Sequence, residues 1–141
     1  MKPYVLIVDD EPDVRRLMRR MLEKSGCEIQ EAATAEQALD QVEADPPAVA
    51  FCDVHMPGAN GLWLCDQIRN ASPGTAMVLA TGDADVPACE SLRSGIVAYL
   101  VKPLERREVL AALADGMQWA LRAPERPMRP RITRRLAAPP A

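Results

Sequence analysis

The sequence predicts an α/β protein of (βα)5 order, a doubly wound sheet of five parallel strands. Three observations predict it. Five short apolar runs recur along the 141 residues. The clearest of them is continuous rather than alternating, as expected of a strand covered on both faces. Helical stretches separate the runs, and such alternation with short connections implies parallel pairing through crossovers. Four of the five runs also stop on a polar residue suited to chemistry, at the strand ends where ligands of such sheets gather.

Each element has its own local signal. Tyr4–Val8, read YVLIV, is the first strand. Pro12 suits a first helical turn. Val14, Leu17, Met18, Met21 and Leu22 then form an apolar stripe, with Arg15, Arg16, Arg19 and Arg20 on the wet side and Gly26 as the stop. Residues 27–33 make a weaker second strand. Thr34 with Gln37 is a capping box that opens a helix through Ala38, Leu39 and Val42. After Pro46-Pro47, residues 48–52 form the third strand, which ends on Asp53. The loop VHMPGANG leads into a helix over Leu64, Cys65 and Ile68. Residues 76–80 are the fourth strand, ending in Thr81-Gly82, and a short, poorly patterned fourth helix covers 86–94. Residues 97–101 are the fifth strand, closed by Lys102-Pro103. A fifth helix over 105–122 is expected to bury Val109, Leu110, Leu113, Met117 and Leu121.

Charge divides the chain in two. Residues 124–141 hold five arginines (Arg126, Arg129, Arg131, Arg134, Arg135), one acidic residue and five prolines. Residues 1–123 hold 12 basic and 19 acidic ones. The division expected is a domain over 1–122 and a Pro/Arg-rich tail or linker over 123–141. The basic tail lacks interleaved aromatic residues, so a solvated extended segment is favoured over a nucleic-acid reader. Cys27, Cys52, Cys65 and Cys89 show no CxxC pairing and read as small buried apolar groups in a reducing compartment. With no signal-peptide pattern and no membrane-length apolar run, a cytoplasmic location is expected.

The strand ends bring Asp9, Asp10, Asp53, Thr81 and Lys102 to one edge of a parallel sheet. Three carboxylates in one cleft raise each other's pKa unless a cation neutralises them. Hard oxygen donors with room for water favour Mg²⁺. A lysine and a hydroxyl opposite that cluster supply the fixed charge and the donor that a transferred phosphoryl group needs. A carboxylate is itself a competent nucleophile toward phosphorus. Each piece alone has an ordinary explanation. An Asp-Asp pair can be a helix start, Asp53 a loop cap, Thr81-Gly82 a turn, and Lys102-Pro103 a solvated lysine before a helix. Their joint occurrence in this order carries the specificity.

The pieces LIVDDEP (6–12), CDVHMPGANGL (52–62), LATG (79–82) and YLVKP (99–103) resemble the receiver domain of bacterial two-component response regulators, over roughly residues 3–122. The resemblance implies a flavodoxin-like strand order 2-1-3-4-5. It implies phosphorylation of Asp53 by a sensor histidine kinase, a histidine phosphotransfer protein or a small phosphodonor. It further implies Mg²⁺, or Mn²⁺ in its place, held by Asp10, Asp53 and the backbone carbonyl of His55, with Asp9 acting mainly through water. Lys102 would pair with the phosphoryl group and Thr81 would hydrogen-bond it, while Tyr99 is the aromatic switch position. The Lys102–Pro103 bond would be cis. Switching would alter the face made by the fourth helix, fifth strand and fifth helix, for partner binding or homodimerisation. The effector domain or partner is not legible. Such a domain is not an enzyme, beyond its own phosphorylation and dephosphorylation.

Other classes fit less well. A phosphorelay carrier, passing its phosphoryl group to a histidine protein, would use the same site. An aspartyl-phosphate phosphatase would carry an aspartate two residues after its nucleophile, where this chain has His55. A flavodoxin-like cofactor binder needs a Ser/Thr/Gly-rich loop after strand one, and Asp-Asp-Glu-Pro repels phosphate without a metal. The imidazole of His55 is expected to face solvent. At about 100° per residue, Trp119 falls opposite the stripe of Val109, Leu113 and Met117, and Trp63 falls off its own helix's stripe. An exposed tryptophan is a candidate partner contact, Trp119 above all, although scattered exposed apolar residues are also ordinary.

Overall fold

The computed structural model describes residues 3–58, 61–82 and 95–121, together with the backbone of 131–132. The chain runs β1 (Tyr4–Val8), α1 (Pro12–Leu22), a 3-10 turn (Glu23–Ser25), β2 (Glu28–Ala32), α2 (Ala35–Ala44) and β3 (Val49–Asp53). It continues through α3 (Gly61–Ala71), β4 (Ala76–Thr81), β5 (Ile96–Val101), α4 (Arg106–Leu121) and β6 (Arg131–Ile132). The helix expected over 86–94 lies outside the described residues, so α4 is the helix counted fifth above.

All strand pairs are parallel, in the order β2-β1-β3-β4-β5-β6. The first five positions match the expected 2-1-3-4-5. The sixth is an addition, for two residues of the Pro/Arg-rich segment pair with β5. Successive side chains point to opposite faces, so each strand feeds two cores. On one face Leu6, Val8, Cys52, Leu79 and Tyr99 pack with Ala38 and Val42 of α2 and with Leu64, Cys65 and Ile68 of α3. On the other, Val5, Ile7, Phe51, Val78 and Leu100 pack with Met18 and Leu22 of α1 and with Val109, Leu113 and Trp119 of α4.

The helix ends follow their sequence signals. The Thr34 hydroxyl accepts from the Gln37 N–H at 3.1 Å, and the Gln37 amide oxygen accepts from the Ala33 N–H at 2.8 Å. The capping box therefore closes one residue earlier than its usual form. Gly26, at φ +83°, ends the 3-10 turn after α1 in the left-handed region that glycine enters without strain. Arg15 and Arg19 do not simply face water. Their Nε atoms lie 3.2 and 2.7 Å from the two carboxylate oxygens of Glu31, pinning α1 to β2.

Trp119 corrects the sequence expectation. It is 6% exposed and belongs to the core under α4, so it is not a surface partner contact. The buried face of α4 holds Val109 and Leu113, as expected, together with Ala112, Gly116 and Trp119, of which Ala112 and Gly116 are too small to register as apolar markers. Gly116 lets the helix lie close to the sheet, since a Cβ there would sit 2.8 Å from Val49 Cγ2. One turn later the indole reaches over Gly95, where an added Cβ would lie 3.9 Å from Trp119 Cη2. The same rotation turns outward two residues expected inside, leaving Leu110 exposed and Leu121 88% exposed. On α1, Leu17 is likewise exposed. Trp63 is exposed, as its wheel position indicated.

Candidate functional site

Register places the reactive ends level with one another. Val8 pairs with Cys52, so Asp9 and Asp53 leave β1 and β3 at the same height. Asp53 pairs with Ala80, and Thr81 pairs with Val101, the residue before Lys102. The backbone N–H of Lys102 donates to the Thr81 carbonyl at 2.8 Å, joining the β4 and β5 ends. Lys102–Pro103 is a cis peptide bond.

The side chains converge as their spacing along the sequence indicates. Carboxylate oxygens of Asp9, Asp10 and Asp53 all lie within 4.8 Å of one another. Asp9 and Asp53 are buried, and Asp10 is at the solvent edge. Lys102 Nζ sits 3.3 Å from Asp9 Oδ2 and 3.3 Å from Asp53 Oδ2. The opposite oxygens are held by the main chain. The Glu11 N–H donates to Asp9 Oδ1 at 2.9 Å, and the His55 N–H to Asp53 Oδ1 at 3.1 Å. His55 itself is exposed. Thr81 is fully buried at the β4 end, one pleat beyond Leu79, the partner of Tyr99. Thr81 and Tyr99 thus share a sheet face, and Tyr99 is fully buried there.

Electrostatics follow from this crowding. Burial first, and the charge of Asp9 second, push the Asp53 carboxyl above its ordinary pKa, against the His55 N–H and the Lys102 charge. Burial alone would lower the Lys102 ammonium. The Asp9 and Asp53 charges and hydrogen bonds outweigh it and hold its pKa above the usual lysine value. One lysine charge against three carboxylates leaves a deficit that a divalent cation fits, and an all-oxygen donor set suits Mg²⁺ or Mn²⁺.

Two supporting residues were not singled out in the sequence. Arg15 donates from its guanidinium to the Asp9 carbonyl at 2.6 Å while its Nε pairs with Glu31. It anchors the loop that presents the acidic pair. Its position on the helix carries no signal for this, because the partner comes from β2. Gly61 starts α3 directly against Asp53. A Cβ there would overlap the Asp53 carbonyl oxygen and lie 2.8 Å from its carbon. The Gly61 N–H donates to the Val54 carbonyl at 3.1 Å. This glycine lies within the stretch CDVHMPGANGL, but spacing alone does not separate it from its neighbours.

A sequence model of the response regulator receiver domain matches residues 5–114. The chain belongs to the response regulator receiver family. This receiver is 36% identical over 128 residues to the photosynthetic apparatus regulatory protein RegA of Rhodovulum sulfidophilum, covering 89% of this chain and 69% of that protein. It is 34% identical over 102 residues to the C4-dicarboxylate transport transcriptional regulatory protein DctD of Rhizobium meliloti, covering 72% of this chain but 22% of that one. Among solved structures, a CheY-like receiver domain protein from Methanospirillum hungatei superposes with a TM-score of 0.79 at 28% identity, over 85% of this chain and 97% of that one. The signal receiver domain of an HD domain-containing protein from Pseudomonas fluorescens gives 0.79 at 26%, over 85% and 98%. The receiver fold and membership of a two-component system follow. Receivers bind Mg²⁺ at an acidic pocket, and response regulators take histidine kinases as partners. No helix among the described residues is long and apolar enough to cross a membrane.

Proposed function

We propose that this receiver accepts a phosphoryl group on Asp53 from a histidine kinase, a histidine phosphotransfer protein or a small phosphodonor. One observation carries the reading. Lys102 bridges Asp9 and Asp53 at 3.3 Å inside a three-carboxylate cluster. Asp10, Asp53 and the His55 carbonyl would hold Mg²⁺, with Asp9 acting through water. The ion supplies positive charge to the phosphoryl oxygens and to the attacking carboxylate.

The residues divide the remaining work. The His55 N–H holds one Asp53 oxygen in place, which orients the carboxylate for attack. As Asp53 bonds to phosphorus, the phosphorus–nitrogen or phosphorus–oxygen bond to the donor breaks, and the leaving group departs with its electron pair. Lys102 exchanges its contact with the carboxylate for one with the phosphoryl oxygens. The buried Thr81 hydroxyl is the donor at the neighbouring strand end, and its movement would be passed to Tyr99 on the same face. The surface of β5 and α4 belongs to the output face. Incubation with labelled acetyl phosphate and MgCl₂ tests the assignment. Label should appear in the parent and be absent from Asp53→Asn; label retained by Asp53→Asn overturns it.

A further inference from the structure

The two sides of the five-stranded core sheet are protected by different means. β2 reads EIQEA, and its Glu31 is tied to Arg15 and Arg19. Charged side chains on an edge strand discourage a foreign strand from adding to it. β5 reads IVAYLV, without a charge and with every residue buried. An apolar, β-branched strand with an open row of N–H and C=O groups is what edge-to-edge association uses.

That edge is covered. β6 runs parallel to β5, with Arg131 level with Ala98 and Ile132 level with Tyr99. Nine residues, 122–130, separate the end of α4 from β6, enough for a crossover back to the sheet. The sequence on either side holds Arg126, Arg129, Arg134 and Arg135 with Pro127 and Pro130. Arginine charge and proline, which lacks an N–H, are both devices that stop a further strand from adding.

We propose that the basic, proline-punctuated tail is an edge cap. Residues 131–132 occupy the docking edge of β5 and keep it from pairing with the β5 edge of a second copy. Two such edges related by a two-fold axis would pair antiparallel, giving one continuous sheet across a dimer. Among the described residues two pairs join the cap to β5, a short contact that an extended peptide of the same sequence should be able to replace. The capping role does not depend on phosphorylation of Asp53.

The full-length double variant Arg131→Pro/Ile132→Pro removes both backbone donors of β6. Amide exchange at the edge-facing positions among 97–100 should rise about ten-fold or more, and sedimentation should show a shift toward dimer relative to the parent. A peptide of residues 126–137 added in trans should reverse both changes. A chain ending at residue 123 should behave as the double variant does; the match to the Methanospirillum hungatei receiver domain takes in 97% of that folded chain and 85% of this one. Unchanged exchange in both variants overturns the docking. Raised exchange without added self-association overturns the shielding.

Discussion

Replacing Asp53 with asparagine should stabilise the metal-free protein. The carboxylate lies within 4.8 Å of those of Asp9 and Asp10, and 3.3 Å from Lys102. At an effective dielectric constant of about 20, the Asp9 repulsion is worth at least about 3.5 kcal/mol and the Lys102 attraction about 5 kcal/mol. Desolvation of a side chain only 4% exposed is the largest contribution and turns the balance into a net penalty. A carboxyl raised by folding binds its proton more tightly when folded than unfolded. The folded state is therefore penalised as pH climbs above the ordinary 3.8, and fully so above the folded pKa. Asparagine never ionises, so Asp53→Asn should gain about 1–2 kcal/mol at pH 7.5 in EDTA, several degrees in Tm. The gain should shrink as pH falls toward 3.8. It should also shrink in MgCl₂. At ten times its dissociation constant the ion adds about 1.4 kcal/mol to the parent, and less to a variant lacking one ligand. Thermal unfolding followed by circular dichroism reads all three conditions. An Asp53→Asn protein no more stable than the parent in EDTA at pH 7.5 would refute the repulsion argument.

Two further outcomes follow from the same geometry. Lys102→Met removes the cation shared by Asp9 and Asp53, and acetyl phosphate labelling should fall about 100- to 1000-fold. Because the Lys102 pKa is raised, its stabilisation is complete below the ordinary 10.5 and lost as pH passes the folded value. Urea midpoints measured up to pH 11.5 should show that alkaline loss in the parent and not in Lys102→Met. Trp119→Ala should cost about 3–5 kcal/mol in urea unfolding, as a core truncation does; a value near zero would place the indole at the surface instead.

Strands and site were legible because both rest on contiguous letters. Runs such as YVLIV can be stable only when covered on two faces, and a parallel sheet must bring their carboxyl ends together. Asp9, Asp10, Asp53, Thr81 and Lys102 could therefore be placed without coordinates. The face of α4 was legible only in part: Val109 and Leu113 were expected inside and are, but Ala112 and Gly116 mark it by small size, which an apolar count passes over. The Arg15 contact to the Asp9 carbonyl depends on where Glu31 lies across the sheet, a distance that helical periodicity cannot express. β6 escaped for a related reason. Two residues carry no periodicity, and it is pairing with β5 that makes Arg131–Ile132 a strand.

Gly61 gives α3 an unusual mechanical position. With no methyl group between the first turn of the helix and the peptide of Asp53, no compliant layer exists to absorb a displacement of either. The helix is a lever of about 16 Å whose fulcrum, Gly61, rests on the peptide of Asp53. Trp63 stands two residues from that fulcrum and faces water, so the chain carries its own optical gauge of events at Asp53.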